Sequence, residues 1–207
     1  MRSVTVYCSS STALEPHFAN AARAVGQELA RRGLTLVYGG GSIGLMGEAA
    51  RAAKAAGGRV LGVITKQLLN LEQGWNGCDE MIVVDTMRER KRLLEEHGDA
   101  FLILPGGLGT YEEFFEILVG RYLQNHQKPI GVVNDHCYYD PMVALIDHGI
   151  EHRFIRPAVK QLLRIHPDPL HLIDFLLSPP ATPVAIGDCL PMGGEGDSPR
   201  RRGERGA

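Results

Sequence analysis

The stretch that decides the fold is AFLILPGGLGTYEEFFEILV, residues 100–119. Its first part, AFLILP (100–105), is a short apolar run typical of a buried strand, and a stretch of helical period follows over 110–125. Three glycines lie between them, although glycine loses more conformational freedom on folding than any other residue. The stretch therefore predicts a strand, a turn of bare backbone and a helix, and the bare turn needs a separate explanation.

The same succession of apolar run and helical stretch repeats along the chain. Strands are predicted over 3–8, 34–39, 59–64, 80–85, 100–105, 129–134 and 162–166. Helices are predicted over 15–32, 44–57, 87–97, 110–125, 140–150 and 168–177. Continuous apolar strands that alternate with helices are typical of a parallel sheet covered on both faces. The sequence thus predicts an α/β fold with a single doubly wound, Rossmann-like parallel sheet of about seven strands.

Length and composition bound the organisation of the 207-residue chain. We expect one Rossmann-like domain over 1–178, because a chain of this length favours a single domain. Residues 179–207 are rich in Pro, Gly and Arg with little apolar surface, which predicts a disordered tail.

Charge, hydropathy and cysteine usage exclude several classes of protein. The formal net charge is -2, which favours neither nucleic acid nor a membrane surface as a partner. No stretch approaches the roughly 18 apolar residues of a membrane span. Four scattered cysteines suggest neither a disulfide framework nor a zinc site, and we expect a cytoplasmic protein.

Two glycine-rich turns follow predicted strands and open predicted helices: YGGGSIGLMGEAA (38–50) and the turn quoted above. Helix N-termini with bare backbone amides bind phosphate, so we expect the two turns to form a phosphate cup together. The first turn matches G-x-G-x-x-G, but no acidic residue stands about 20 residues further on, where a dinucleotide site needs one. A purely structural role for its glycines, close approach of helix and sheet, stays open.

Charged residues accompany the second turn. Thr110 is expected to cap the helix and to donate its hydroxyl to an anion. Glu112 is interpreted as an acid that complements the helix dipole, whereas Glu113 beside the cup is a candidate catalytic or ribose-binding carboxylate. Cations also gather at the start of helix 87–97, where they oppose the dipole, and either anion binding or a solvated face would explain them. This set is Arg88, Arg90, Lys91 and Arg92.

Three motifs, in order, resemble the LOG (LONELY GUY) family: GGGSIGLMG (39–47), MRERK (87–91) and PGGLGTYEE (105–113). The likeness extends from VYCSSS near the start to about residue 177. It implies a phosphoribohydrolase that cleaves the N-glycosidic bond of N6-substituted adenosine 5′-monophosphates, cytokinin nucleotides above all, and releases the free base and ribose 5-phosphate. It also implies a homodimer in which helices of one subunit complete the pocket of the other, and no cofactor.

The resemblance assigns roles to particular residues. Arg90 and Glu113 would be catalytic. The substrate-binding residues would be Glu72, Met87, Lys91, Gly40, Gly41, Gly106, Gly107, Leu108, Gly109, Thr110, Tyr111 and Glu112. The chain departs from the family pattern at Ser9, Leu94, Val119 and Gly120, positions that concern the base pocket and the subunit contact. They leave open whether a cytokinin nucleotide or plain AMP is the substrate.

The expected chemistry needs a carboxylate and a guanidinium but no metal. Glycoside cleavage passes through an oxocarbenium-like state, which Glu113 would stabilise, or it would orient the attacking water. Arg90 would clamp the phosphate or hold Glu113 ionised. One alternative is a carrier or sensor that binds a phosphorylated ligand without cleaving it. The other is a pyridoxal phosphate-dependent lysine decarboxylase, with Lys91 as the Schiff-base lysine.

One further pattern is set aside. The segment HGIEH (148–152) matches H-x-x-E-H, a metal-binding pattern of one metalloprotease group. A glycine lies inside its short predicted helix and no third ligand is evident, so the match is interpreted as coincidence.

Overall fold

The computed structural model describes residues 1–71 and 74–178, which contain one seven-stranded sheet. Its strands are β1 Ser3–Tyr7, β2 Thr35–Tyr38, β3 Val60–Thr65, β4 Glu80–Val84, β5 Phe101–Ile103, β6 Ile130–Val133 and β7 Arg164–His166. All neighbours pair in parallel, in the order β4-β3-β2-β1-β5-β6-β7. The predicted α/β class and doubly wound parallel sheet of about seven strands are confirmed.

Helices connect the strands. They are α1 Pro16–Arg31, α2 Gly44–Ala55, α3 Lys66–Leu71, α4 Met87–His97, α5 Leu108–Tyr122, α6 Asp140–Glu151 and α7 Pro169–Leu177, with short 3-10 helices at Asp135–Cys137 and Pro157–Gln161. The sequence did not predict α3, which contains no buried residue. A helix that buries no apolar stripe lacks the periodic signal on which the prediction depends.

Helix α5 begins earlier than predicted. Gly107 is its N-cap and Leu108 its first residue, so the expectation that Thr110 caps the helix is wrong. The same shift moves Glu112 and Glu113 beyond the first turn, which contains no acidic residue. The dipole explanation for Glu112 therefore fails, because the dipole acts mainly within the first turn.

The two faces of the sheet carry separate helix layers. On one face the core includes Val25 of α1, Leu45 of α2 and Ile173 of α7. On the other face it includes Phe114 of α5 and residues of α4 and α6. Burial on both sides explains why the central strands read as continuous apolar runs.

The strand order reverses at β1, which pairs with β2 on one side and β5 on the other. In doubly wound sheets the crevice for ligands lies beyond the carboxyl ends of the strands at such a reversal. Across residues 1–71 and 74–178, the helices are all too short or too polar to cross a bilayer. The predicted tail, 179–207, lies outside the described residues, so the domain boundary stays a prediction.

Candidate active site

A cleft of about 360 Å³ opens at the point where the strand order reverses. Its volume is within the range of about 300–1,000 Å³ that is usual for small-molecule sites. The lining combines the loop after β1, the starts of α2 and α5, and one side chain of α4. These residues are Cys8, Ser9, Ser10, Ser11, Met46, Arg90, Gly107, Leu108, Gly109, Thr110 and Glu113. Both residues that the resemblance marks as catalytic are therefore in one cleft.

Arg90 is a buried cation with three acceptors. Its Nε donates to the Val63 carbonyl at 3.0 Å and its Nη2 to the Gly39 carbonyl at 3.2 Å. Its Nη1 donates to Oε1 of Glu113 at 3.2 Å, and the two side chains are 5% and 11% exposed. A buried charge needs both a counter-ion and hydrogen bonds. The two carbonyls therefore fix the guanidinium so that one amino group is directed at Glu113.

The start of α5 presents open backbone to the cleft. The Tyr111 N–H donates to the Gly107 carbonyl at 3.0 Å, which leaves the N–H groups of Leu108, Gly109 and Thr110 without an intrahelical acceptor. A Cβ added at Gly107 or Gly109 would meet no atom within 4 Å, and neither residue has a positive φ. The described part of the protein does not itself require these two glycines, whereas a ligand on the backbone would.

Two tyrosine hydroxyls fix the backbone that leads into this turn. Tyr138 donates its hydroxyl to the Gly106 carbonyl at 2.6 Å, and Tyr139 donates to the Leu104 carbonyl at 2.7 Å. Thr110 is buried, and its Oγ1 would lie 2.1 Å from a Cβ at Gly106. Gly106 is thus a packing requirement, and the open turn above it is fixed in position.

In the first glycine turn, other groups of the protein occupy the space beside the glycines. A Cβ at Gly39 would lie 2.2 Å from Nη2 of Arg90, and one at Gly44 would lie 2.4 Å from the carbonyl carbon of Ser10. Gly40 and Gly44 both have positive φ, 80° and 60°. These glycines therefore serve backbone conformation and close approach, the structural role that the sequence left open.

The N-terminus of α2 is also occupied. The N–H groups of Leu45 and Met46 donate to the Ser9 carbonyl at 2.9 and 3.4 Å. The two turns were expected to form a phosphate cup together. On the side of α2, however, the Leu45 and Met46 amides are already used, and α2 contributes the Met46 side chain to the cleft lining. Gly40 and Gly41 are absent from the cleft lining, and their role in substrate binding stays a prediction.

Most of the cationic run on α4 points away from the cleft. Lys91 pairs with Glu112 and, at 3.1 Å, with Glu116. The hydrogen bond to Glu112 raises the pKa of Lys91 above its ordinary value. Arg92 pairs with Glu96 at 2.7 Å. Within the run, only Arg90 lines the cleft. The solvated-face interpretation suits Arg88 and Arg92, which are exposed, whereas the Lys91 side chain is only 18% exposed beside its two glutamates.

The other predicted substrate contacts are scattered. Leu108 is 85% exposed at the cleft rim, and Met87 is exposed outside the lining. The Tyr111 hydroxyl lies 3.0 Å from that of Tyr138. Glu72 lies outside the described residues. Their roles stay predictions.

The departures from the family pattern are in different environments. Ser9 lines the cleft, whereas Leu94 is fully buried against the sheet. Val119 and Gly120 line a separate, open groove beside Lys91. Of the four positions, Ser9 is therefore the one placed to contact a ligand in this cleft.

Sequence reasoning missed the contribution of the loop after β1. Ser10 and Ser11 line the cleft with Met46, and the signal was a run of three serines directly after the first strand. Tyr7, at the end of that strand, is buried near Glu113. Burial and then the charge of Glu113 raise the pKa of Tyr7 well above its ordinary value. Tyr7 therefore remains a neutral phenol beside the acid.

Solved structures share this fold. A molybdenum cofactor carrier protein from Chlamydomonas reinhardtii matches with a TM-score of 0.65 and 21% identity, over 85% of this chain and 98% of that one. A molybdenum cofactor binding protein from Rippkaea orientalis matches with a TM-score of 0.65 and 22% identity, over 84% and 94%. At such identities the likeness shows the fold alone.

Sequence relatives show the family. Residues 46–176 match the family described as "Possible lysine decarboxylase". The cytokinin riboside 5′-monophosphate phosphoribohydrolase of Rhodococcoides fascians is 41% identical over 86% of this chain and 90% of its own length. The enzyme LOG5 of Arabidopsis thaliana, of the same name, is 40% identical over 84% and 76%. The resemblance predicted from three ordered motifs is confirmed, and this chain belongs to the LOG family.

Proposed function

We propose that this protein hydrolyses the N-glycosidic bond of N6-substituted adenosine 5′-monophosphates and releases the free base and ribose 5-phosphate. The observation that carries the proposal is the buried Arg90–Glu113 pair in the same cleft as the open start of α5. The names of the sequence relatives support the substrate class.

The 5′-phosphate would bind at the start of α5. The amides of Leu108, Gly109 and Thr110 would donate to its oxygens, and the helix dipole adds about 0.3–1 kcal/mol for an exposed anion. Thr110 lines the same cleft and offers a hydroxyl donor. The missing side chains at Gly107 and Gly109 would let the phosphate reach the backbone.

Glu113 would act on the ribose. It lies about one turn beyond the amides proposed to bind phosphate, on the same helix, so its carboxylate would face the sugar. As the bond from C1′ to the base nitrogen breaks, the carboxylate stabilises positive charge on the sugar and orients the water that adds to C1′. The water oxygen bonds to C1′, and the departing base takes up a proton.

Arg90 would be a positioning residue. Its Nε and Nη2 are used by two backbone carbonyls, so its fork is not available for a bidentate clamp on phosphate. Its Nη1 is directed at Glu113, and a neighbouring guanidinium favours the ionised form of a carboxylate. These contacts support the second of the two roles considered for Arg90.

The decarboxylase alternative lacks a suitable lysine. The chain has five lysines, and none is among the described residues that line the cleft. Schiff-base chemistry needs a neutral amine, whereas hydrogen bonding to Glu112 raises the pKa of Lys91 and keeps it an ammonium. An absorbance scan for a pyridoxal aldimine tests this alternative directly.

The experiment is to incubate the full chain with N6-isopentenyl-AMP and with AMP and to measure ribose 5-phosphate and free base. We expect Glu113→Gln to lower the turnover by about 100- to 1,000-fold, because it removes a charge that stabilises the transition state. Glu116→Gln is the matched control, since Glu116 lies one turn further along the same helix and pairs with Lys91 outside the cleft, and it should retain nearly full activity.

Two outcomes would contradict the proposal. Full turnover by Glu113→Gln with an unchanged circular dichroism spectrum would exclude the assigned mechanism. Binding of both nucleotides without release of product would favour the carrier alternative.

We also propose that two copies of the chain associate. An apolar groove between α5 and the turn after α6 supports this, with Phe154 89% and Val119 50% exposed. Apolar surface of this kind marks contact sites. Light scattering should give twice the mass of one chain, and Phe154→Glu should reduce it to that of a monomer. The cytoplasmic location stays a prediction.

A further inference from the structure

Two histidines and an aspartate from distant parts of the chain meet beside α1. His17 lies in the first turn of α1, and Asp135 and His136 lie in the 3-10 helix after β6. The rings of His17 and His136 have centroids 3.9 Å apart. One possible ligand atom from each of the three residues lies within 4.8 Å of the other two.

Two polar atoms of this cluster are buried without a partner. They are Nε2 of His17 and Oδ2 of Asp135. Buried polar atoms almost always have a hydrogen-bond partner, and an exception calls for an explanation such as an ion. A single ligand that accepts electron pairs would satisfy both of these atoms.

The remaining atoms orient the two imidazoles. Nδ1 of His136 lies 2.7 Å from Oδ1 of Asp135, and Nδ1 of His17 lies 3.4 Å from a carboxylate oxygen of Glu15. Contact between a carboxylate and one ring nitrogen fixes the tautomer and leaves a lone pair on the other nitrogen, as in metal-binding histidines. For His17 this leaves Nε2 to bind a cation. Nδ1 of His136 and the Asp135 carboxylate, already 2.7 Å apart, would bind the same ion side by side.

The backbone at this cluster is constrained as well. His136 and Cys137 have positive φ, 49° and 61°, which residues other than glycine rarely adopt. Such conformations persist where surrounding contacts impose them, and they cluster at ligand sites. The conformation brings the His136 ring against His17.

The ligand set selects the class of cation. Two imidazole nitrogens and one carboxylate oxygen suit Zn²⁺ and related first-row divalent ions, whereas Mg²⁺ and Ca²⁺ prefer oxygen ligands. Tetrahedral Zn²⁺ with bonds of about 2.0–2.1 Å needs ligand atoms about 3.4 Å apart. The three ligand atoms lie within 4.8 Å of one another, and small side-chain rotations would bring them to that spacing.

We propose that His17, Asp135 and His136 form a Zn²⁺-type site that joins the start of α1 to the segment after β6. Three protein ligands leave a fourth position for water. The site is separate from the cleft lining and has no part in the proposed hydrolysis. It would stabilise the fold at the carboxyl edge of the sheet.

The chain offers a matched control in a second cluster. His148, Glu151 and His152 also place possible ligand atoms within 4.8 Å of one another, but all three residues are exposed on α6. None of them has a buried unpartnered atom among the described residues. This is the H-x-x-E-H match, and it tests whether close histidines alone are sufficient for binding.

The experiment uses the full chain, freed of metal with a chelator and kept under a non-thiol reductant. Titration with ZnCl₂ by calorimetry gives the affinity and stoichiometry, and absorption of bound Co²⁺ reports the coordination. We expect the double variant His148→Ala/His152→Ala to keep one tight site. In that background, His17→Gln, Asp135→Asn and His136→Asn should each weaken Zn²⁺ binding at least tenfold.

Thermal unfolding supplies an independent readout. A cation that binds only the folded state raises the Tm, so Zn²⁺ should raise the Tm of the parent and of the α6 double variant but not that of His17→Gln. The substitution His136→Asn suits the left-handed backbone, which Asn tolerates. If that variant fails to fold, His17→Gln decides alone. Unchanged affinity in His17→Gln, or loss of the tight site in the α6 double variant, would overturn the proposal.

Discussion

The two glycine-rich turns look alike in sequence and have different uses. In the first, a Cβ at Gly39 would collide with Arg90, and the amides that open α2 donate to the Ser9 carbonyl. In the second, Gly107 and Gly109 face open space, and the amides that open α5 have no acceptor in the helix. The first turn makes room for the protein's own groups, and the second leaves room for a ligand.

The difference identifies which of the two glycine turns has backbone amides available for a phosphate. Both turns follow a strand and open a helix, so both have the dipole and the bare backbone. The deciding factor is whether another part of the chain already occupies the amides. Clashes at the Cβ positions therefore distinguish a structural glycine from a binding glycine.

The largest effect is expected at Gly39. A methyl group there would lie 2.2 Å from Nη2 of Arg90 and would displace the guanidinium that orients Glu113. Because a misplacement of about 1 Å can cost about 100-fold in rate, we expect Gly39→Ala to lower kcat by at least that factor. Steady-state kinetics with N6-isopentenyl-AMP, beside a circular dichroism spectrum, measure it. An unchanged kcat would show that the first turn does not act through Arg90.

An intermediate effect is expected at Gly109, with opposite signs for stability and binding. Gly109 lies inside α5 with open space at its Cβ position, so Gly109→Ala should stabilise the fold by about 0.5–1 kcal/mol. The same methyl group would obstruct the phosphate and raise KM about tenfold. Chemical unfolding and steady-state kinetics test the two parts.

The matched control for Gly109 is the same substitution in the first turn. Gly44 has φ of 60°, and its Cβ would lie 2.4 Å from the Ser10 carbonyl carbon. Gly44→Ala should therefore destabilise the fold by more than about 1 kcal/mol. Equal stability changes for the two variants would contradict the contrast between the turns.

The smallest effect concerns pH and the helix of the open turn. His126 is buried against α5, with Nε2 2.8 Å from the Ile117 carbonyl. Burial lowers the pKa of His126 below its ordinary value of 6.5. Below pH 6.5 the unfolded chain therefore binds a proton that the folded chain does not, and stability falls as the pH falls.

We expect His126→Gln to reduce this loss of stability between pH 6.5 and 5. Unfolding by urea at several pH values measures the slope. Hydrogen exchange should show the acid-induced loosening in α5 before α2, since His126 contacts α5. A slope identical in the variant would assign the pH dependence to other groups.

The strands and most helices could be predicted because their burial is periodic. Strand β1 lies within a continuous apolar run, and the predicted helix 87–97 has the same bounds as α4. In α4, Thr86 caps the helix by accepting the Glu89 N–H. The exposed helix α3 had no such pattern. The start of α5 was placed late because a glycine N-cap carries no side-chain signal.

The sequence predicted which residues form the candidate site but not which groups they contact. The motifs identified Arg90 and Glu113, and in the structure Nη1 of Arg90 lies 3.2 Å from Oε1 of Glu113. Occupation of the α2 amides by Ser9 could not be foreseen, because it depends on how two loops meet in space. The same holds for Lys91, whose partners Glu112 and Glu116 lie on the next helix.

Arg90 also bridges elements that are far apart in sequence, since one guanidinium joins the carbonyls of Gly39 and Val63 to the Glu113 side chain. Selection on folding alone would therefore preserve it. A descendant of this protein that had abandoned turnover could still carry the arginine. Glu113 is the counter-ion of that buried guanidinium and would be retained for the same reason. The persistence of Gly107 and Gly109, which the described fold does not require, would be the more telling mark of a working enzyme.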